Sequence, residues 1–183
     1  MRAPTLRRLS VLDLAHAANL TLACMVSYGA IQMIFSGLVD ASLVPLGGTW
    51  AAVSTIFVLR DSRAGSLSAG LARLLATCVS FVLCLGYLLL FPASFAGLAA
   101  LLCLGALVMA ALDRRDDIIA TDITTCVIMT VAASHPSQAW LHPPLRFLDT
   151  VVGIAIGVAF RWAGDLLLRR SGAPAAVAPG PSP

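Results

Sequence analysis

Two arginines sit where a charge is costly. The octets RLLATCVS (73–80) and RFLDTVVG (146–153) share Arg, Leu, Thr and Val at matching places, and each lies in an apolar stretch. On a helix Arg73, Thr77 and Ser80 fall at i, i+4 and i+7 on one face, and Arg146, Thr150 and Gly153 repeat that face. Arginines inside a membrane commonly face a bundle interior or a water-filled cavity. A planar guanidinium forks onto a carboxylate, so the passenger suited to such a path is an organic carboxylate anion. A second reading stays open beside it. Both arginines lie near enough to an expected helix end to snorkel into the headgroups. Arg146 can also pair with Asp149 at i+3, and Arg161 with Asp165 at i+4.

Asp122 is another acid within an expected span, surrounded by Thr121, Thr124 and Thr125. Such a carboxylate is a candidate proton carrier, or a counter-charge to Arg73, or only a helix cap near the loop before it. Gly153 and Gly157 form a GxxxG, extended by Ala159, that predicts a close helix–helix contact within the protomer or across a dimer. In the first helix His16, Asn19, Ala23 and Ser27 line one face, a stripe that suits helix packing.

Several chemistries find no support. No Ser-His-Asp set, histidine cluster or paired carboxylates converge at one depth, so neither an enzyme, a metal site nor a cofactor is expected. His16 belongs to one membrane face and His135 and His142 to the other. The five cysteines, Cys24, Cys78, Cys84, Cys103 and Cys126, form no CxxC pair and read as buried filler. A net charge of +3, thinly scattered, excludes nucleic-acid binding.

The elements that must position these residues are transmembrane helices. The 183-residue chain is 59% hydrophobic and 11% charged, with mean hydropathy +0.92. A soluble domain carries about a quarter charged residues and lacks long apolar runs. The sequence therefore predicts an all-α integral membrane protein with six transmembrane helices at 14–38, 43–59, 68–91, 93–112, 118–134 and 144–168. Residues 1–13 form an N-tail and 169–183 a Pro/Ala/Gly-rich, disordered C-tail. Nine arginines (2, 7, 8, 60, 63, 114, 115, 169 and 170) fall in the tails and in the second and fourth loops, which puts both termini in the cytoplasm. Trp50, Trp140, Phe91, Phe95 and Phe147 then read as an outer aromatic belt, and Phe57, Phe160 and Trp162 as an inner one.

The octets open the third and sixth helices, and AAVSTIFVL (51–59) resembles TDITTCVIM (121–129) in the second and fifth. The chain thus divides into two three-helix units, about 14–91 and 93–168. Three is odd, so the second unit is inverted relative to the first, an arrangement found in transporters and in some channels.

The stretches GTWAAVSTIFVLRDS (48–62), GLARLLATCVSFVLCLGYLLL (70–90) and RFLDTVVGIAIGVAF (146–160) resemble the membrane module of the fusaric acid resistance and aromatic acid exporter proteins. The resemblance spans roughly 14–168. It implies a bacterial inner-membrane module, oligomeric as a homodimer or larger, that exports aromatic or related carboxylic acids across the lipid bilayer. By motif position it singles out Arg73, Thr77, Arg146, Asp149 and Thr150. Two alternatives stand beside an exporter: a passive organic-anion channel, and a non-transporting subunit or scaffold that packs through the sixth helix.

Overall fold

The computed structural model describes residues 11–41, 43–60 and 62–170. Six α-helices run in order: α1 Val11–Phe35, α2 Val44–Val58, α3 Arg63–Leu90, α4 Phe95–Ala111, α5 Ile118–Ser134 and α6 His142–Arg170. Short 3-10 turns at Arg115–Asp117 and Pro136–Leu141 precede α5 and α6. The described residues contain no strand. Four segments are long and apolar enough to cross a membrane, namely α1, α3 and those containing α5 and α6, while α2 and α4 are apolar but shorter, at 15 and 17 residues.

Helix ends follow local chemistry. Proline biases the residue before it to extended backbone, so Phe91, ahead of Pro92, sits at φ −136° and ψ 148° and closes α3. Ser94 then caps α4 by accepting from the Gly97 amide at 3.1 Å. Gly37 at φ +83° lies just beyond α1, in the left-handed region where a missing Cβ costs nothing. Asp113 takes φ 56° after α4, one of the few side chains that tolerate it.

Three helices start earlier than the apolar pattern suggests, and α1 already begins at Val11, within the expected tail 1–13. Ser62 caps α3 by accepting from Gly65 N at 3.0 Å, so the polar stretch RAGSLS is helical and α3 begins at Arg63 instead of 68. α6 begins at His142, because Pro143 and Pro144 fall in its first turn, where no amide donor is needed. At its other end α6 runs to Arg170, and the rest of the expected tail, 171–183, lies outside the described residues, as do residues 1–10.

α3 and α6 pack against each other, α2 lies on α6 and α1 on α2, while α5 lies on α3 and α4 on α5. α2 and α6 run side by side in one direction: Gly47 faces Asp149, Gly153 faces Ala51 and Gly157 faces Val58. α3 runs opposite to α6, with Gly70 against Ile154 and Phe81 against Phe147. The outside of the bundle is greasy. Met33, Val82, Leu90 and Phe95 are 83%, 64%, 77% and 87% exposed, as a lipid-facing surface requires. The interior is the more polar side, with Ser27, Ser54, Thr55, Arg73, Thr77, Ser80, Thr121, Thr124, Thr125, Arg146, Asp149 and Thr150 all buried.

Candidate functional site

Arg73 stands ten residues into α3, about 15 Å along the helix from Arg63. It is thus nearly three turns from the helix head, and the side chain turns into the bundle. Its side chain is buried, 3% exposed, and the guanidinium carbon lies 5.2 Å from the Trp50 ring and 4.9 Å from the Phe57 ring. Nε, Nη1 and Nη2 are all buried without a hydrogen-bond partner. No carboxylate pairs with Arg73 among the described residues. Asp122, the proposed counter-charge, instead puts a buried, unpartnered Oδ1 near Gly105 of α4.

The electrostatics of this position are lopsided. Removing a guanidinium from water costs several kcal/mol even after relaxation. Two desolvated cation–π contacts return about 2 kcal/mol each and satisfy none of the N–H donors. Each unmade hydrogen bond adds about 1–3 kcal/mol. Arg73 is therefore a fixed cation with open donors, held between helices.

Trp50 is the main departure from the sequence expectation. It faces into the bundle, 7% exposed, and not the membrane boundary. Its Nε1 is buried and unpartnered, as is Ser54 Oγ one turn along α2. Trp50, Ser54 and Phe57 fall at i, i+4 and i+7, the same spacing as Arg73, Thr77 and Ser80 on α3. That stripe was the available signal, and the belt rule for tryptophan masked it. Phe57, 42% exposed, walls the guanidinium off from the outside of the bundle.

Arg146 has a different setting. One turn into α6 and 2% exposed, it pairs with the fully buried Asp149, Nη2 to Oδ2 at 3.0 Å. Its Nε and Nη1 remain unpartnered. Room for the carboxylate comes from Gly47 of α2, where a Cβ would lie 3.0 Å from Asp149 Oδ1. The ion-pair alternative thus describes Arg146 and not Arg73. His142, one turn before Arg146, is 1% exposed with both ring nitrogens unpartnered, and its ring lies 5.8 Å from that of His135. Arg161 and Asp165 also pair, and Arg63 at the start of α3 joins them, Nε to Oδ2 at 2.7 Å, which ties α3 to α6.

The threonines act on the frame. Thr77 and Thr150 each donate to the carbonyl one turn back, Arg73 O and Arg146 O, both at 2.9 Å. Gly153 and Gly157 meet α2 within the chain: a Cβ on Gly153 would collide with the Ala51 carbonyl oxygen, and one on Gly157 would sit 3.3 Å from Thr55 O. Thr55 Oγ1 lies 3.0 Å from both Ala51 O and Gly153 O and 2.5 Å from Ser27 Oγ, which joins α1, α2 and α6. The small-residue face of α6 is therefore filled by α2. On the other side Ser80 donates to Thr121 O at 2.8 Å and accepts from Thr125 Oγ1 at 3.2 Å.

A greasy helical bundle closed around polar threonines and an unneutralised arginine defines a multi-pass membrane protein with a polar interior. Over residues 31–160 the sequence matches the family described as fusaric acid resistance protein-like, and the chain belongs to that family. Membership gives it a role in membrane transport or resistance, in a family of transporters and not of enzymes. No curated protein and no solved structure is significantly similar to the chain.

Proposed function

We propose that the chain exports organic carboxylate anions across the bacterial inner membrane, with six spans, both termini in the cytoplasm and two inverted halves meeting at α3 and α6. The observation that carries this reading is Arg73, a buried cation whose three nitrogens have no hydrogen-bond partner among the described residues. A carboxylate supplies both the missing charge and two oxygens that match the guanidinium edge. The family's description as fusaric acid resistance protein-like accords with an acidic substrate.

Packing supports the inverted halves. α2 on α6 is matched by α5 on α3, with the α3–α6 pair between them. Gly153 meets the Ala51 carbonyl, and Ser80, its equivalent in the first octet, bonds the carbonyl of Thr121, the equivalent of Ala51. In this scheme Arg73 binds the anion, Thr77 and Thr150 brace the two arginine turns, and the Arg146–Asp149 pair makes a second, neutralised station on the path. Asp122, with its unpartnered buried oxygen, is the proposed proton-coupling group. The scaffold alternative is weakened because the Gly153 and Gly157 face already holds α2.

The test is efflux of a labelled aromatic carboxylate from liposomes holding the purified protein, with and without a pH gradient. Gradient-driven efflux that is lost in Arg73→Gln is the expected result. Equal flux from Arg73→Gln and the parent would refute the role of Arg73. Flux that ignores the gradient would replace the exporter with a passive channel.

A further inference from the structure

Arg73 is one member of a group of orphaned donors. Trp50 Nε1, Ser54 Oγ and Arg73 Nε, Nη1 and Nη2 are all buried and all lack a partner. Ser54 sits on α2 between Trp50 and Phe57 with its Cβ against Gly153 of α6, and the Arg73 guanidinium touches both rings. Indole N–H and guanidinium N–H groups can only donate. Of the acids on the neighbouring helices, Asp149 pairs with Arg146, Asp165 pairs with Arg63 and Arg161, and Asp122 of α5 lies against Gly105 of α4.

We infer that Trp50, Ser54 and Arg73 form a donor-lined hole that selects singly charged oxyanions, with Trp50 and Ser54 as further binding residues. The inference rests on the anion-transport reading and adds its charge selectivity. One guanidinium neutralises one negative charge. A dianion seated there would leave a second charge uncompensated, since among the described buried residues Arg146 is already matched by Asp149, and Arg63 and Arg161 are held by Asp165. The hydroxyl and indole donors take the carboxylate lone pairs that the guanidinium edge leaves open, and the two rings exclude water. Hydrogen bonds to charged groups contribute enough that losing one weakens binding about tenfold or more.

Trp50 is its own reporter. The chain has three tryptophans, and Trp140 and Trp162 are 50% and 54% exposed, away from Arg73. In a W140F/W162F background the remaining indole fluorescence is titrated with benzoate and with phthalate, which share a ring and differ by one charge. Benzoate should quench the signal, and phthalate should bind at least about tenfold more weakly. Ser54→Ala should raise the benzoate Kd about tenfold, and Arg73→Gln should abolish the response. Equal affinity for the two acids, an unchanged Kd in Ser54→Ala, or no response to benzoate would overturn the inference. Trp50→Phe keeps the ring and removes the donor; followed by calorimetric titration, it should also weaken benzoate about tenfold. Binding as described without flux in liposomes would leave the hole standing and remove the transport reading.

Discussion

Asp149→Asn asks whether the second arginine is held by its neighbour or by a substrate. The change keeps the side-chain shape in the space that Gly47 leaves and removes only the charge. At 3.0 Å, with an effective dielectric near 20, the Arg146–Asp149 attraction is about 5.5 kcal/mol. Breaking one side of a buried pair costs about 3–5 kcal/mol, because a charge is stranded. Both partners are at most 3% exposed, so solvent offers little rescue. For a chain of this size about 3–5 kcal/mol corresponds to a fall in Tm of roughly 6–20 °C. Thermal unfolding in one detergent, followed by intrinsic fluorescence, reads this directly. The double variant Arg146→Gln/Asp149→Asn removes both charges and should recover most of the loss. A Tm for Asp149→Asn within about 2 °C of the parent would refute the stranded-charge argument.

The same ledger predicts that Arg73→Met is as stable as the parent or more so in a thermal melt, since a charge without a partner is removed. Thr55→Val should cost about 1–2 kcal/mol in the same assay, through the lost contacts to Ser27 and Gly153. Gly153→Leu should lower Tm sharply or prevent assembly, because α6 lies on the α2 backbone there, and a size-exclusion profile will show the loss. Arg63→Gln should cost less than about 1 kcal/mol, because that side chain is 41% exposed and Asp165 keeps Arg161 as its partner.

The helices were legible because apolar runs announce themselves, and the placement of proline marked the break after α3. The start of α3 was not, because RAGSLS has no apolar periodicity and only the Ser62 cap makes it helical. Pairing of Arg146 with Asp149 could be anticipated from spacing alone, since residues three apart share a face. The partner of the Gly153–Gly157 face could not, because a small face specifies closeness but not which helix comes close. Trp50 was assigned to the membrane boundary by a rule about tryptophan in general. Its place against Arg73 depends on how α2 is rotated, and rotation is set by contacts with α3 and α6 that lie far away in sequence.

On the proposed six-span topology, the burial of Arg73 bears on energetics across a charged membrane. A fixed positive charge well inside the low-dielectric layer feels the transmembrane potential, at about 2.3 kcal/mol per 100 mV for a full crossing. In the proposed transport, a singly charged anion seated on it cancels that charge, so the occupied site gives the field nothing to act on. Voltage then bears on the empty protein and not on the loaded one. An electrical recording would therefore see the return step of the cycle, while the carrying step passes silently.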